Sequence, residues 1–90
     1  MTMTLSLYYQ DTCPFCQWVL PKIDATGVQV ELRNIDLEPA FRAELIREGG
    51  KAQVPCLKIE RRGEEDVWLY ESADIVTWMK EVATNRVGCR

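Results

Sequence analysis

The residues best suited to chemistry are two cysteines with two residues between them, Cys13-Pro14-Phe15-Cys16. Thiols at this spacing can close a small disulfide ring and reopen it, which is two-electron redox chemistry. The attacking species in such chemistry is a thiolate. An ordinary cysteine, with a pKa of about 8.5, is mostly protonated at neutral pH. One sulfur of the pair therefore needs a place that favours negative charge. The first turn of a helix is such a place, because unpaired N–H groups and the positive end of the dipole converge there. On that reading Cys13 attacks, and Cys16, one turn further in and more buried, resolves the mixed disulfide. Pro14 stiffens the intervening turn and Phe15 gives the site an apolar edge.

The competing reading of a cysteine pair is half of a zinc site. Zinc takes four ligands, and the other candidates, Cys56 and Cys89, are isolated in the sequence. Histidine is absent, which excludes Cys/His and Ser/His/Asp catalysis and any metal site that needs imidazole. No metal is expected. Cys56 reads as a small core residue. Cys89 reads as a thiol in a loose tail.

The elements around the pair must place it at a strand-to-helix junction. Leu5 to Tyr9 reads as a first strand. Pro14 suits the first helical turn, where its missing N–H costs nothing. Val19, Leu20 and Ile23 give that helix an apolar face, Pro21 should kink it or tighten it locally, and Thr26-Gly27 ends it. Alternation over Val28 to Ile35 predicts a second, less buried strand. Glu38-Pro39 opens a second helix, which Gly49-Gly50 stops. Val54 to Ile59 reads as a third strand. Arg61 to Asp66 has the composition of a hairpin turn, and Val67 to Tyr70 of a fourth strand. Ser72 is predicted to cap a last helix carrying Ile75, Val76, Trp78, Met79 and Val82, with a frayed tail after Ala83. The order β-α-β-α-β-β-α predicts an α/β fold. Its four-stranded mixed sheet would have one parallel crossover, one antiparallel hairpin and helices on its faces.

Ninety residues, 47% of them hydrophobic, predict a single domain over 1–90 with one modest core. The net charge of −3 offers no basic excess for phosphates, so no nucleic-acid partner is expected. No run of apolar residues approaches a membrane span, and the N-terminal residues lack a charged leader. The expectation is a cytoplasmic monomer, in a compartment that keeps thiols reduced.

Taken together, these residues resemble the glutaredoxin family of the thioredoxin-like fold. Cys13-Pro14-Phe15-Cys16 is close to the family's Cys-Pro-Tyr-Cys. Gln53-Val54-Pro55 is similar to its Thr-Val-Pro, with glutamine in place of threonine. The resemblance runs from Leu5 to Val82. It implies a cis Pro55 lying against the Cys13 loop and a Val54 backbone that pairs with the cysteine of glutathione. The segment from Tyr70 to Ile75 looks like the Glu-Ser turn of glutathione S-transferase N-terminal domains, which holds the γ-glutamyl end of glutathione. A helix start supplies N–H groups for a carboxylate. Ser72 would add a hydroxyl, and Asp74 would receive the ammonium. The resemblance thus implies glutathione as co-substrate, with Gln10, Thr12, Phe15, Gln53, Val54, Pro55, Glu71, Ser72 and Asp74 around it. Gln10 stands where the family often has a lysine, so positive charge is expected from Arg47 or Lys51.

The expected activity is that of a dithiol glutaredoxin acting on protein disulfides or glutathionylated proteins through Cys13 and Cys16. A different class is a glutathione-ligated [2Fe–2S] cluster carrier or binding module, against which the stiffening Pro14 argues. A third is a glutathione S-transferase relative without the helical domain that would supply its second substrate pocket. A thioredoxin proper would carry Trp-Cys-Gly-Pro-Cys, which this chain lacks.

Overall fold

The computed structural model describes residues 3–88, with side chains described as far as residue 84. Cys89 lies outside the described residues. The strands are β1 (Met3–Tyr9), β2 (Glu31–Asn34), β3 (Cys56–Arg61) and β4 (Val67–Leu69). The helices are α1 (Pro14–Thr26), α2 (Pro39–Glu44, continued by a π-helical turn over Leu45–Gly49) and α3 (Ser72–Gly88). The sheet order is β2-β1-β3-β4. β1 runs parallel to β2 and antiparallel to β3, and β3 pairs antiparallel with β4. This is the mixed four-stranded sheet with three helices that the sequence predicts.

Period-two alternation sends side chains to two different layers. Leu5 and Leu7, Leu57 and Ile59, and Val67 and Leu69 face α1 and α3, where Val19, Ile23, Ile75, Val76 and Met79 complete the main core. Tyr8, Cys56, Trp68 and Tyr70 face the other way, with Ile35, Phe41 and Leu45. Both faces of the central strands are covered, so Leu5 to Tyr8 is buried at every position. That is why its sequence is apolar at every position but the small, buried Ser6.

The elements start and stop for local reasons. α1 begins at Pro14 after the N-cap Cys13. It ends at Gly27, whose φ of 73° suits a residue without a Cβ and whose N–H bonds the Asp24 carbonyl. Pro21 is exposed, and α1 stays α-helical through it.

Several boundaries differ from those predicted. β2 is shorter than Val28 to Ile35. Val28 and Val30 do pack on the core, but from an unpaired stretch, and pairing begins at Ser6 opposite Glu31. Alternation reports which side chains are buried, and a coil lying on a core alternates as a strand does. β3 starts at Cys56, two residues late, because Pro55 has no N–H to give a ladder; it extends to Arg61 opposite Met3. β4 stops at Leu69, one residue early. The cap of α3 is Glu71, whose carbonyl accepts from the Ile75 N–H, and Ser72 is the first helical residue. The backbone remains helical to Gly88 and does not end at Ala83.

Candidate active site

The C-terminal ends of β1 and β2 lie side by side, with Tyr9 opposite Asn34, and the Cys13 loop leaves from that edge. The Cys13 N–H bonds the Gln10 carbonyl at 3.3 Å, which tightens the turn into α1. Cys13 then occupies the N-cap, with extended backbone angles of φ −86° and ψ 118°. Its sulfur accepts from the Cys16 backbone N–H at 3.3 Å. A cysteine sulfur here takes the part that a Ser or Asp oxygen takes at ordinary helix starts.

The Val54–Pro55 peptide bond is cis. The Cys13 thiol donates to the Val54 carbonyl at 3.8 Å. The loop before β3 therefore meets the Cys pair directly, although the two are about forty residues apart in sequence. Cys13 is half-buried, Cys16 fully buried and Phe15 exposed. Burial, reinforced by the neighbouring Cys13, pushes the Cys16 thiol up to about 12. The two sulfurs are thus unequal, with the accessible one at the helix start and the fully buried one behind it.

Gln10 donates from its side-chain amide to Asp36 at 3.0 Å. Thr12 and Gln53, which immediately precede Cys13 and Val54 in sequence, are exposed. Glu71, Ser72 and Asp74 come together at the start of α3, Ser72 half-buried and the other two exposed. Neither cation proposed from sequence is turned to the sulfur. Arg47 pairs with Glu48 at 3.1 Å, and Lys51 lies 4.7 Å above the Tyr70 ring. The Cys16 amide is the donor that faces the Cys13 sulfur.

Sequence reasoning missed Asn34, which is buried at the end of β2. Its side-chain oxygen accepts from the N–H groups of Asp36 and Leu37, and its side-chain nitrogen donates to Asp11 at 3.2 Å. One amide thus ties the turn after β2 to the turn that carries Cys13. A polar residue closing a strand was the available signal. It also missed Cys56 as a partner of Tyr70. Burial raises both groups to about 12, and the Tyr70 hydroxyl donates to the Lys51 carbonyl at 3.3 Å. A groove of about 670 Å³ opens at the opposite end of the sheet, between Met3 and the segment from Gly27 to Glu31. None of the predicted site residues lines it.

Comparison with known proteins agrees with this geometry. The family model for glutaredoxin matches residues 2–63. Glutaredoxin 3 of Escherichia coli K12 is 30% identical over 56 residues, which is 62% of this chain and 68% of that protein. Maleylacetoacetate isomerase from Anaeromyxobacter dehalogenans, solved with glutathione in its active site, superposes with a TM-score of 0.69 at 26% identity. That match covers 92% of this chain and 39% of the isomerase, so this chain spans about two fifths of that protein's length. NrdH-redoxin from Escherichia coli, a glutaredoxin-like protein, superposes at 0.58 with 21% identity, covering 83% of this chain and 92% of its own. That likeness shows the shared thioredoxin-like fold. With a family model over most of its length and the Cys pair at a helix start against a cis-proline loop, the chain belongs to the glutaredoxin family and has a thiol redox function.

Proposed function

We propose that this chain is a dithiol, glutathione-dependent oxidoreductase that reduces protein disulfides and protein–glutathione mixed disulfides. The observation that carries the reading is the placement of the Cys13 sulfur. It is accessible, 3.3 Å from the Cys16 N–H and 3.8 Å from the Val54 carbonyl beside the cis Pro55. A sulfur bearing negative charge accepts that N–H bond, and a helix start adds its dipole.

The Cys13 thiolate attacks one sulfur of a substrate disulfide. A Cys13–substrate disulfide forms as the substrate bond breaks, and the departing thiolate takes a proton. Cys16 then gives up its proton and attacks the Cys13 sulfur, closing the ring and releasing the second substrate thiol. One glutathione thiolate opens the ring by attack on Cys13. A second attacks that mixed disulfide, yielding glutathione disulfide and restoring both cysteines. Because burial holds the Cys16 proton at neutral pH, Cys16 does not compete for the incoming substrate.

For glutathione, the Val54 backbone would pair with the central cysteine, flanked by Gln53 and Pro55. Gln10, Thr12 and Phe15 would line the near side. The free N–H groups at the start of α3 and the Ser72 hydroxyl would take the α-carboxylate, and Asp74 the ammonium, with Glu71 holding the turn. The isomerase solved with glutathione supports this choice of thiol, since it shares the fold over most of this chain. No helix among the described residues is long and apolar enough to cross a membrane. We place the activity in the cytoplasm, carried by residues 1–90 as a monomer.

The test is a glutathione-coupled assay with a protein disulfide and with a glutathione mixed disulfide. Cys13→Ser should fall to the rate without protein on both. Cys16→Ser should lose the protein disulfide and keep the mixed disulfide. A Cys13→Ser variant as active as the unaltered chain would overturn the proposal.

A further inference from the structure

The turn that delivers Cys13 is tied down mainly by side chains. One main-chain bond closes Gln10-Asp11-Thr12-Cys13, from the Cys13 N–H to the Gln10 carbonyl. Its central residues, Asp11 and Thr12, are exposed and lie outside the strands. Asn34, paired opposite Tyr9 on β2 and only 7% exposed, supplies the main tie. Its side-chain oxygen accepts from the N–H groups of Asp36 at 2.9 Å and Leu37 at 3.2 Å. Those two donors fix which way the amide points, so its nitrogen faces the Asp11 carboxylate and donates to it at 3.2 Å. Asp36 in turn accepts from the Gln10 side-chain amide at 3.0 Å. The bonds close a ring: Asn34 to Asp11, along the chain to Gln10, across to Asp36 and back to Asn34. Gln17 of α1 adds a bond to the Asp11 carbonyl at 2.9 Å. Asp11 is therefore held by β2 through its carboxylate and by α1 through its backbone.

We infer that Asn34 is a positioning residue for the thiol exchange: through Asp11 it holds the Cys13 turn so that the sulfur stays on the Cys16 N–H. This rests on the oxidoreductase reading above. The sulfur lies 3.3 Å from that N–H and 3.8 Å from the Val54 carbonyl. A shift of about 1 Å in the turn would break both contacts. Misplacing a reacting group by about that much can cost about 100-fold in rate. The tie also settles what an acidic residue does two positions before the attacking cysteine. A carboxylate turned onto the sulfur would oppose a thiolate. Bonded to the buried Asn34 amide, the same carboxylate serves as a tether.

The test starts from Asp11, whose exposed side chain can be changed without touching the core. Asp11→Ala and Asp11→Asn both remove the charge, but only Asp11→Asn keeps an oxygen for the Asn34 amide. Each is made in a Cys16→Ser background, which keeps the backbone N–H at position 16. Two rates are read: alkylation of Cys13 by iodoacetamide across pH, located by peptide mapping, and turnover of the mixed disulfide of glutathione and mercaptoethanol. Relative to Asp11→Asn, Asp11→Ala should be about tenfold slower in both at neutral pH, with its alkylation profile moved up by about one pH unit. Asn34→Asp sets two carboxylates face to face and should lose at least as much. Adding Asp11→Asn to it reverses the direction of the bond and should bring both rates back to within about threefold of the background. Asp11→Ala and Asp11→Asn behaving alike, or a double variant no faster than Asn34→Asp, would overturn the inference. If Asn34→Asp does not fold, the Asp11 pair decides alone. Alkylation in the expected order with no turnover by the unaltered chain would uphold the positioning role and sink the oxidoreductase reading.

Discussion

Two thiols of the same chemical type behave differently here because of where the backbone puts them. Cys13 is at the mouth of a helix, and Cys16 is inside it. Cys56, on the other face of the sheet, is raised by burial to about 12, as Cys16 is, and its neighbour Tyr70 is raised from 10 to about 12. Each keeps its proton in the folded chain above the pH at which the unfolded chain loses it, near 9 for a thiol. The stability these groups contribute is therefore complete below about pH 9 and is lost as pH rises towards about 12. The reduced protein should lose about 2–4 kcal/mol between pH 8 and 10.5, read from urea midpoints. A Cys16→Ser, Cys56→Ala double variant should show a flatter curve. An unchanged midpoint over that range would contradict the burial assigned to these thiols.

The helix α2 is the element least explained by apolar packing, since none of its six residues is fully buried. Its attachment runs through Glu44. One carboxylate oxygen accepts from Tyr8 and from Arg33, and the other lies 3.9 Å from the Lys58 ammonium. Lys58 is only 5% exposed, sits over the Trp68 ring and also reaches Glu48 at 3.3 Å. Arg33 lies over the rings of Tyr8 and Phe41, and Tyr8 stacks on Trp68. The π-helical turn that follows comes so close to β4 that a Cβ on Gly49 would collide with the Tyr70 hydroxyl and the Trp68 ring. This clamp leads through Lys51 to Val54, whose carbonyl meets Cys13. Glu44→Gln keeps the shape but removes the carboxylate that Arg33 and Lys58 share, leaving Arg33 with Glu31 and Lys58 with Glu48, Glu60 and Asp66. It should cost about 1–3 kcal/mol in urea unfolding. A loss under 0.5 kcal/mol, the size of an ordinary surface change, would show that the clamp does not hold α2.

At this scale the sequence was legible where one residue type has one strong reason to be where it is. Pro14 behind Cys13 and Gly27 after α1 each marked a boundary, whereas Pro55 was read inside the third strand although the ladder starts only after it. The clamp was not legible. Arg33, Glu44 and Lys58 each look like a solvated charge in their own segment, and only the sheet order brings them to one face. The same holds for Asn34, whose role depends on the parallel pairing of β2 with β1. The alternation over Val28 to Ile35 matches burial at Val28 and Val30 but not beyond, where Leu32 is exposed and Asn34 buried, and pairing is confined to Glu31–Asn34.

For the molecule as a whole, the sheet order explains how residues far apart in sequence reach one end. β1 and β2 run parallel and deliver Gln10, Cys13 and Asp36 to the same edge. The antiparallel β3 begins at that edge, so Val54 and Pro55 arrive there, and β4 returns to it with Tyr70, Glu71 and Ser72. The α1–α3 layer buries Cys16, while the α2 layer fixes the loop opposite. The central claim is that this arrangement makes Cys13 the sulfur that exchanges with glutathione. The most direct measurement treats reduced Cys16→Ser protein, which cannot close the ring, with glutathione disulfide and locates the adduct by peptide mapping with mass spectrometry. The account predicts one glutathione on Cys13, formed within minutes at neutral pH and removed by reduced glutathione. An adduct on Cys56 in place of Cys13, or no adduct at Cys13, would contradict it.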